Sequence, residues 1–283
     1  MKQTGSPATL AAALLISAAI SACSGQGADQ GNAQSADATA SGNENKYAEL
    51  AKLPDFSGVW EPARMAARPP GPPAEGAASS APPPAPPKPP QFTPEYAKKW
   101  AAFQEANKGR AGINFVSQVA NCIPPGVPGS MNQPYPIEFL FTPGRVTILI
   151  ETYSMVRRIY MDDNGPPEPD FSYQGNSTGK WEGDTLVVTT THILPETSPI
   201  SGINGHSEQM KVTERMRLVE PDVLEIQTTV EDPEVFVEPH TTTSRYVRHR
   251  DWHIMEYVCA QNNRDQLDEQ GNPGFNLDRN PGE

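Results

Sequence analysis

Three ionisable residues share one face of a predicted strand, a combination that could carry out proton transfer. From His206 onward the chain alternates, so that His206, Glu208 and Glu214 point the same way among apolar neighbours. A histidine oriented by a carboxylate can act as a general base or acid near neutral pH. Arg157 or Tyr160, on another predicted strand, would then stabilise developing negative charge. These five residues are the catalytic candidates.

The same charged residues also fit a structural role. Alternation places Glu214, Asp232 and Glu256 on inward faces, where carboxylates are costly unless they are paired. The arginines that could pair with them are Arg157, Arg158, Arg245 and Arg248. Structural pairing carries more weight than catalysis, because the ends of barrel strands often carry such ion pairs.

The sequence motifs give little support for a bound metal or cofactor. His206, Glu208 and a further acid could hold a metal, but no HExxH spacing is present. His206-Ser207-Glu208 matches the H-x-E of zinc deaminases, yet the required C-x-x-C is missing. The chain also lacks P-loop and GxGxxG motifs. We therefore predict no metal and no cofactor.

Aromatic and acidic residues on inward faces predict a ligand site. The inward faces are rich in threonine, methionine and aromatic residues, a mixture that suits a partly apolar ligand. The predicted ligand-binding residues are Trp60, Trp181, Asp232 and Glu256.

The elements that would position these residues are mostly strands. Short turns, most of which contain glycine, asparagine or proline, separate most of nine alternating segments. They run over residues 137–142, 145–153, 155–162, 172–180, 185–193, 206–219, 223–232, 241–248 and 252–259. So many hairpin-linked strands tend to curl and close, since closure removes exposed edges. The predicted fold is mainly β: an antiparallel meander closing into a lipocalin-like β-barrel or a strongly curled sheet, with one flanking helix.

A further strand and the flanking helix precede this meander. Residues 55–60 predict the strand, and Gly58-Val59-Trp60 resembles the GxW signature that opens lipocalin-like barrels. Thr93 as N-cap and Pro94 at the first helical position predict a helix to about Asn107. Its aromatic residues form one stripe, so we expect the helix to pack on the β domain.

The amino terminus is built like an export signal. A basic start and an apolar run lead to Ile20-Ser21-Ala22-Cys23, which resembles the lipobox of bacterial lipoproteins. The resemblance implies cleavage before Cys23, diacylglycerol on its sulfur and acylation, such as palmitate, of the new amino terminus. Ser24 favours the outer membrane in that family. The alternative is an ordinary secretory signal peptide with an unmodified cysteine.

Composition divides the rest of the chain into segments. The predicted organisation is a signal peptide (1–22), a flexible tether (23–52), a first strand region (53–68), a Pro/Ala-rich linker (69–92), a helix (93–110), an antiparallel β domain (111–265) and a disordered tail (266–283). The net charge of −12 argues against nucleic acid as a partner. The expected membrane contact is therefore the lipid on Cys23.

Two cysteines remain once Cys23 is used for lipid. In an oxidising compartment Cys122 and Cys259 are the expected disulfide pair. A catalytic thiol or a metal ligand has no supporting Cys or His spacing nearby. A bridge between them would staple the first and last parts of the β domain.

Several separated motifs resemble, in order, a family of uncharacterised exported bacterial proteins. They are Cys122-Ile-Pro-Pro-Gly, Trp181-Glu-Gly-Asp-Thr-Leu-Val-Val188, His206-Ser-Glu with Glu214-Arg215, Asp232-Pro233 and Glu256-Tyr-Val-Cys259. The resemblance spans about residues 54–265 and implies a secreted β-rich domain. The lipobox and the Pro/Ala-rich insertion after Trp60 depart from that family's pattern.

Three functions remain open on this basis. The leading hypothesis is a lipid-anchored periplasmic or outer-membrane protein whose barrel mouth binds a small, partly apolar molecule in an open or half-open pocket. The second is a small-molecule lyase, isomerase or hydrolase that uses His206 with Glu208 and Glu214. The third is an envelope scaffold protein, which would present a large exposed apolar patch.

Overall fold

Nine consecutive strands close into a barrel in the computed structural model of the chain, which describes residues 46–63, 82, 84–106, 122–162, 165–200, 205–259, 265–267 and 273–275. The strands are β1 (Val59–Pro62), β2 (Ile137–Thr142), β3 (Arg145–Ile150), β4 (Met155–Met161), β5 (Asn176–Glu182), β6 (Thr185–Thr191), β7 (Lys211–Glu220), β8 (Val223–Glu231) and β9 (His240–His249). Strand β1 pairs with both β2 and β9, which closes the barrel. The predicted barrel fold is confirmed.

One pair of neighbouring strands departs from the predicted meander. β4 and β5 run parallel, with Ile159 opposite Ser177, whereas the other neighbouring strands of the barrel are antiparallel. The chain between β4 and β5 is long enough to return to the same end of the barrel, as a parallel pair requires. Gly179 allows β5 to lie close to β4, because a Cβ at this position would be only 2.7 Å from a methyl carbon of Ile159.

Alternation along the strands sends one set of side chains into the lumen. Most of these apolar side chains form one buried cluster with residues from the segments beside the barrel. Its largest fully buried members are Trp60, Tyr246, Phe56, Ile137, Ile148, Ile150, Ile159, Leu186 and Met216. Burial of this set is the main force that holds the nine strands in register.

Helix α1 (Pro94–Ala106) begins where the sequence predicts. The Thr93 hydroxyl oxygen accepts a hydrogen bond from the Tyr96 amide at 3.4 Å and donates one to the Glu234 carbonyl at 2.7 Å. The aromatic stripe packs into a second apolar cluster with residues of β7 and β8. The N-cap thus also ties the helix to the segment after β8.

The segments outside the barrel correct several predicted boundaries. Residues 252–258, predicted as a strand, form no strand, and Cys259 joins Cys122 in the predicted disulfide with Cα atoms 5.7 Å apart. β10 (Asp265–Leu267) pairs with β11 (Pro273–Phe275), and apart from Asp265 both strands lie in the tail that was predicted to be disordered. Two 3-10 turns, Gly129–Asn132 and Thr152–Ser154, and helical residues 46–50 complete the described structure.

The predicted signal peptide, Cys23 and most of the tether lie outside the described residues. In the described part of the chain, no helix is both long and apolar enough to cross a membrane. The last part of the Pro/Ala-rich linker lies against the barrel, where the Val237 amide donates to the Gln91 carbonyl at 2.8 Å.

Candidate functional site

A cavity of about 400 Å³ lies at the rim of the barrel where β7 begins and β8 ends, and we call it the rim pocket. Three segments enclose it: the start of α1, the residues before β7 and the residues after β8. Its lining is Thr93, Glu95, Tyr96, Lys99, Gly205, His206, Pro233, Glu234 and Val235. None of these lining residues belongs to a barrel strand, so the pocket lies beside the barrel and not in its lumen. Its volume falls in the range of small-molecule sites.

Tyr96 lines this pocket, and its hydroxyl is a buried polar group that is closed to solvent. Only 3 % of the residue is exposed, and its hydroxyl has no hydrogen-bond partner among the described residues. Burial raises the pKa of Tyr96, and the negative charge of Asp232 raises it further. The hydroxyl therefore stays protonated and can donate a hydrogen bond. A buried hydroxyl left unpaired costs about 1–3 kcal/mol, so an acceptor that reached it would be stabilised.

His206 forms another part of the wall, but its ring nitrogens are already bonded to the protein. Nδ1 lies 2.7 Å from the Ser207 carbonyl oxygen, and Nε2 lies 3.0 Å from the Thr197 hydroxyl. Because a carbonyl only accepts, Nδ1 carries a proton, and in the neutral ring Nε2 accepts from Thr197. These neighbours therefore hold the His206 ring. The catalytic hypothesis required Glu208 or Glu214 to hold it instead.

Asp232 fixes the two segments that flank β7 and β8 at the pocket. Its carboxylate accepts hydrogen bonds from the Ser207 amide at 2.7 Å, the Ser207 hydroxyl at 3.1 Å, the Glu234 amide at 2.8 Å and the Val235 amide at 3.2 Å. With 3 % exposure and these donors around it, the carboxylate organises the loop. Asp232 was predicted to bind ligand, and the structure places it behind the wall of the pocket.

Charged side chains lie around the opening of the rim pocket. The Lys99 ammonium lies 5.9 Å from the centroid of the Tyr96 ring, while Glu95 pairs with Lys98 at 2.7 Å. A cation over the ring beside an unpaired hydroxyl donor favours a ligand group that accepts hydrogen bonds. The aromatic side chains of Phe92 and Trp100 pack beside Tyr96 and make the neighbouring surface apolar.

A separate polar centre lies inside the barrel, on β4 to β7. Arg157 and Glu214, both with fully buried side chains, form an ion pair there. The guanidinium also donates to the Thr190 hydroxyl at 2.8 Å and to the Ser177 hydroxyl at 3.3 Å. The structural alternative named this arginine among the partners of Glu214. Both residues were catalytic candidates, and the structure brings them together but not with His206.

The remaining predicted site residues do not converge. Glu208 and Glu256 are exposed, and β7 begins only at Lys211, so the alternation that placed Glu208 inward does not hold there. Tyr160 lies on the face of β4 opposite Arg157, where it lines another cavity of about 430 Å³. The expected meeting of four acids and a histidine in one lumen is therefore wrong.

The two tryptophans belong to the apolar end of the lumen. Trp60 is fully buried, its indole N–H donates to the Phe56 carbonyl at 2.9 Å, and the Arg248 guanidinium lies 4.5 Å from its ring centroid. Trp181 packs edge-on against Phe56 with ring centroids 5.8 Å apart. These contacts make both tryptophans part of the barrel core, although they were predicted to bind ligand.

Sequence reasoning missed Tyr96 and Thr197 as site residues. The helical stripe identified Tyr96 as a packing residue, but an unpaired hydroxyl is visible only once the surrounding atoms are placed. Thr197 lies in a segment without strand or helix periodicity, so no local pattern marked it.

Comparison with known proteins adds no family. No protein-family model matches the chain, and no curated protein matches it. Within the described ranges no group of three or more His, Cys, Asp or Glu side chains is placed to hold a metal ion.

Proposed function

We propose that this chain is a lipid-anchored protein of the bacterial cell envelope that binds a small, partly apolar molecule in the rim pocket. The observation that carries the proposal is the Tyr96 side chain, which lines a cavity of about 400 Å³ and carries a buried hydroxyl without a partner among the described residues. Binding sites of this kind combine a largely preformed concavity with a few polar groups that fix orientation.

The chemistry of the wall defines the class of ligand. Tyr96 donates one hydrogen bond, and Lys99 adds a positive charge at the opening. Val235 and the Tyr96 ring supply apolar surface. A suitable ligand therefore carries a hydrogen-bond acceptor, such as a carbonyl or a carboxylate, on a small apolar body.

Anchoring through Cys23 is the second part of the proposal. Ile20-Ser21-Ala22-Cys23 supports it through the lipobox resemblance, and the predicted tether would hold the barrel away from the bilayer. Two or more acyl chains give stable membrane attachment, whereas one does not. Mass spectrometry of the amino-terminal peptide tests this directly. We expect acyl chains on Cys23, and Cys23→Ser should release the protein from the membrane fraction; an unmodified Cys23 would exclude the anchor.

The enzymatic alternative has less support from this geometry. His206 would have to give up its hydrogen bond to Thr197 before Nε2 could take a proton from a substrate. Glu208, one of its proposed partners, is exposed, and the other, Glu214, is paired with Arg157. Ligand binding in the rim pocket does not require His206 to give up this hydrogen bond.

The test of binding uses the full chain expressed in a bacterial host and purified in mild detergent. Native mass spectrometry should find a small molecule retained by the wild type and lost from Tyr96→Phe, which removes only the hydroxyl. Tyr160→Phe is the matched control, since that residue lines a different cavity. Equal spectra for wild type and Tyr96→Phe, with nothing retained by either, would refute a ligand site at Tyr96.

A further inference from the structure

The cavity of about 430 Å³ that Tyr160 lines lies between the outward face of β4 and residues 165–176. We call residues 165–172 the arch and the space beneath them the arch cavity. Its volume falls in the range of small-molecule sites. The arch cavity shares no lining residue with the rim pocket, so the two are separate sites.

Contacts at both ends hold the arch in place over β4. At its start, a Cβ on Gly165 would lie 3.6 Å from the Tyr160 ring, which is ordinary contact distance. At its end, the Ser172 amide donates to the His192 carbonyl at 3.0 Å. Three prolines restrict the backbone between these two points. The cavity is therefore largely preformed, which reduces the ordering cost of binding.

The wall of the arch cavity carries one cation and one carboxylate, Arg158 and Asp170. Among the described residues neither side chain has a hydrogen-bond or ion-pair partner, and the two do not pair with each other. Most arginines of the barrel strands, in contrast, pair with a carboxylate. Both side chains are exposed, so the cavity is open to solvent beside them. A molecule that engages both must carry a negative and a positive group at different points.

A third polar group in the wall is the side-chain amide of Asn176, which also has no partner in the described part of the chain. This amide offers both donors and an acceptor, and so it matches a peptide group. The amide of Gln174 is already engaged, since its Oε1 accepts from the Ser130 hydroxyl at 3.2 Å. Met155, Val156 and three prolines add apolar surface to the wall.

We propose that the arch cavity binds a dipeptide with unblocked ends and apolar side chains. Its carboxylate pairs with Arg158, whose planar guanidinium can donate two parallel hydrogen bonds to such a group. Its ammonium group donates to Asp170, and its peptide group bonds to Asn176. A single amino acid has no peptide group for Asn176, and a fatty acid has no ammonium group for Asp170.

Leucyl-leucine and two blocked derivatives are matched probes for this site. Acetylation removes the positive charge, and amidation of the carboxyl end removes the negative charge. In isothermal titration calorimetry of the full chain in mild detergent, we expect leucyl-leucine to bind. Each derivative should bind about tenfold more weakly, because it loses one charge-assisted hydrogen bond. Equal affinities for all three compounds, or no binding of leucyl-leucine, would overturn the proposal.

Variants of the two charged residues show where the dipeptide binds. Arg158→Gln should abolish the preference for leucyl-leucine over its amide, and Asp170→Asn the preference over the acetyl derivative. Arg217→Gln and Asp184→Asn are the controls, because both residues are exposed and neither lines the cavity. The controls should keep both preferences. If Arg158→Gln and Asp170→Asn also keep them, the dipeptide does not bind in the arch cavity. Tyr96→Phe should leave dipeptide binding unchanged, so this proposal and the rim pocket can fail separately.

Discussion

Removing one charge of the Arg157–Glu214 pair should destabilise the barrel far more than removing an exposed charge. Arg157→Met preserves length and apolar packing but leaves the Glu214 carboxylate alone in the lumen. Both side chains of the pair are fully buried, so water cannot take over the role of the lost partner. Breaking a buried pair by removing one member costs about 3–5 kcal/mol in free energy of unfolding.

A double-mutant cycle separates the cost of the uncompensated charge from the cost of lost packing. The variant with both Arg157→Met and Glu214→Leu contains no uncompensated charge, so we expect it to be more stable than either single variant. Lys211→Met is the control, because Lys211 and Glu231 form a pair whose side chains are 44 % and 39 % exposed. Loss of such a pair should cost about 0–1 kcal/mol.

The assay is urea unfolding of the full chain at pH 7, followed by circular dichroism. We expect Arg157→Met to lower the unfolding midpoint strongly, Lys211→Met to change it little, and the double variant to recover part of the loss. The reasoning is refuted if Arg157→Met costs no more than Lys211→Met, or if the two single effects simply add in the double variant.

Three further predictions concern pH, the disulfide and the first strand. Burial lowers the pKa of His240 from its ordinary value of 6.5, so the unfolded chain takes up a proton before the folded chain does. Stability should fall as the pH drops through 6.5, and less steeply in His240→Gln; equal slopes in urea titrations would contradict this. Reduction of Cys122–Cys259, which are separated by 137 residues, should lower the free energy of unfolding by about 2–5 kcal/mol, and an unchanged urea midpoint with dithiothreitol would contradict it. Gly58 has a φ of +95°, and a Cβ there would lie 3.2 Å from the Arg248 side chain. Gly58→Ala should therefore cost about 1–3 kcal/mol, and a wild-type melting temperature would show that the backbone accommodates it.

Most of the barrel was predictable, because side-chain polarity that alternates with a period of two residues indicates a strand with one buried face. The segments now seen as β2 to β9 carry that period, and the N-cap of α1 is a local signal. The parallel pairing of β4 with β5 was not predictable, since it depends on the route of the chain between residues 162 and 175. Alternation over residues 252–259 was misleading, because the disulfide at Cys259 and the contact of Tyr257 with Tyr135 hold that segment outside the sheet.

The candidate site was predictable only in part. His206 was identified from its residue type and lines the rim pocket, whereas its supposed partner Glu208 faces solvent because the strand starts five residues after His206. Tyr96 and Asp232 come close only through the packing of α1 against the loop after β8. Such juxtapositions between distant segments leave no pattern in a single sequence.

A crystal structure of the full protein, expressed in a bacterial host and solved at a resolution that shows ordered solvent, tests ligand binding at the rim pocket most directly. We expect electron density for a small organic molecule in that pocket, with an acceptor atom at hydrogen-bond distance from the Tyr96 hydroxyl. A pocket that holds only ordered water, or a Tyr96 hydroxyl bonded to another protein side chain, would contradict the proposed function.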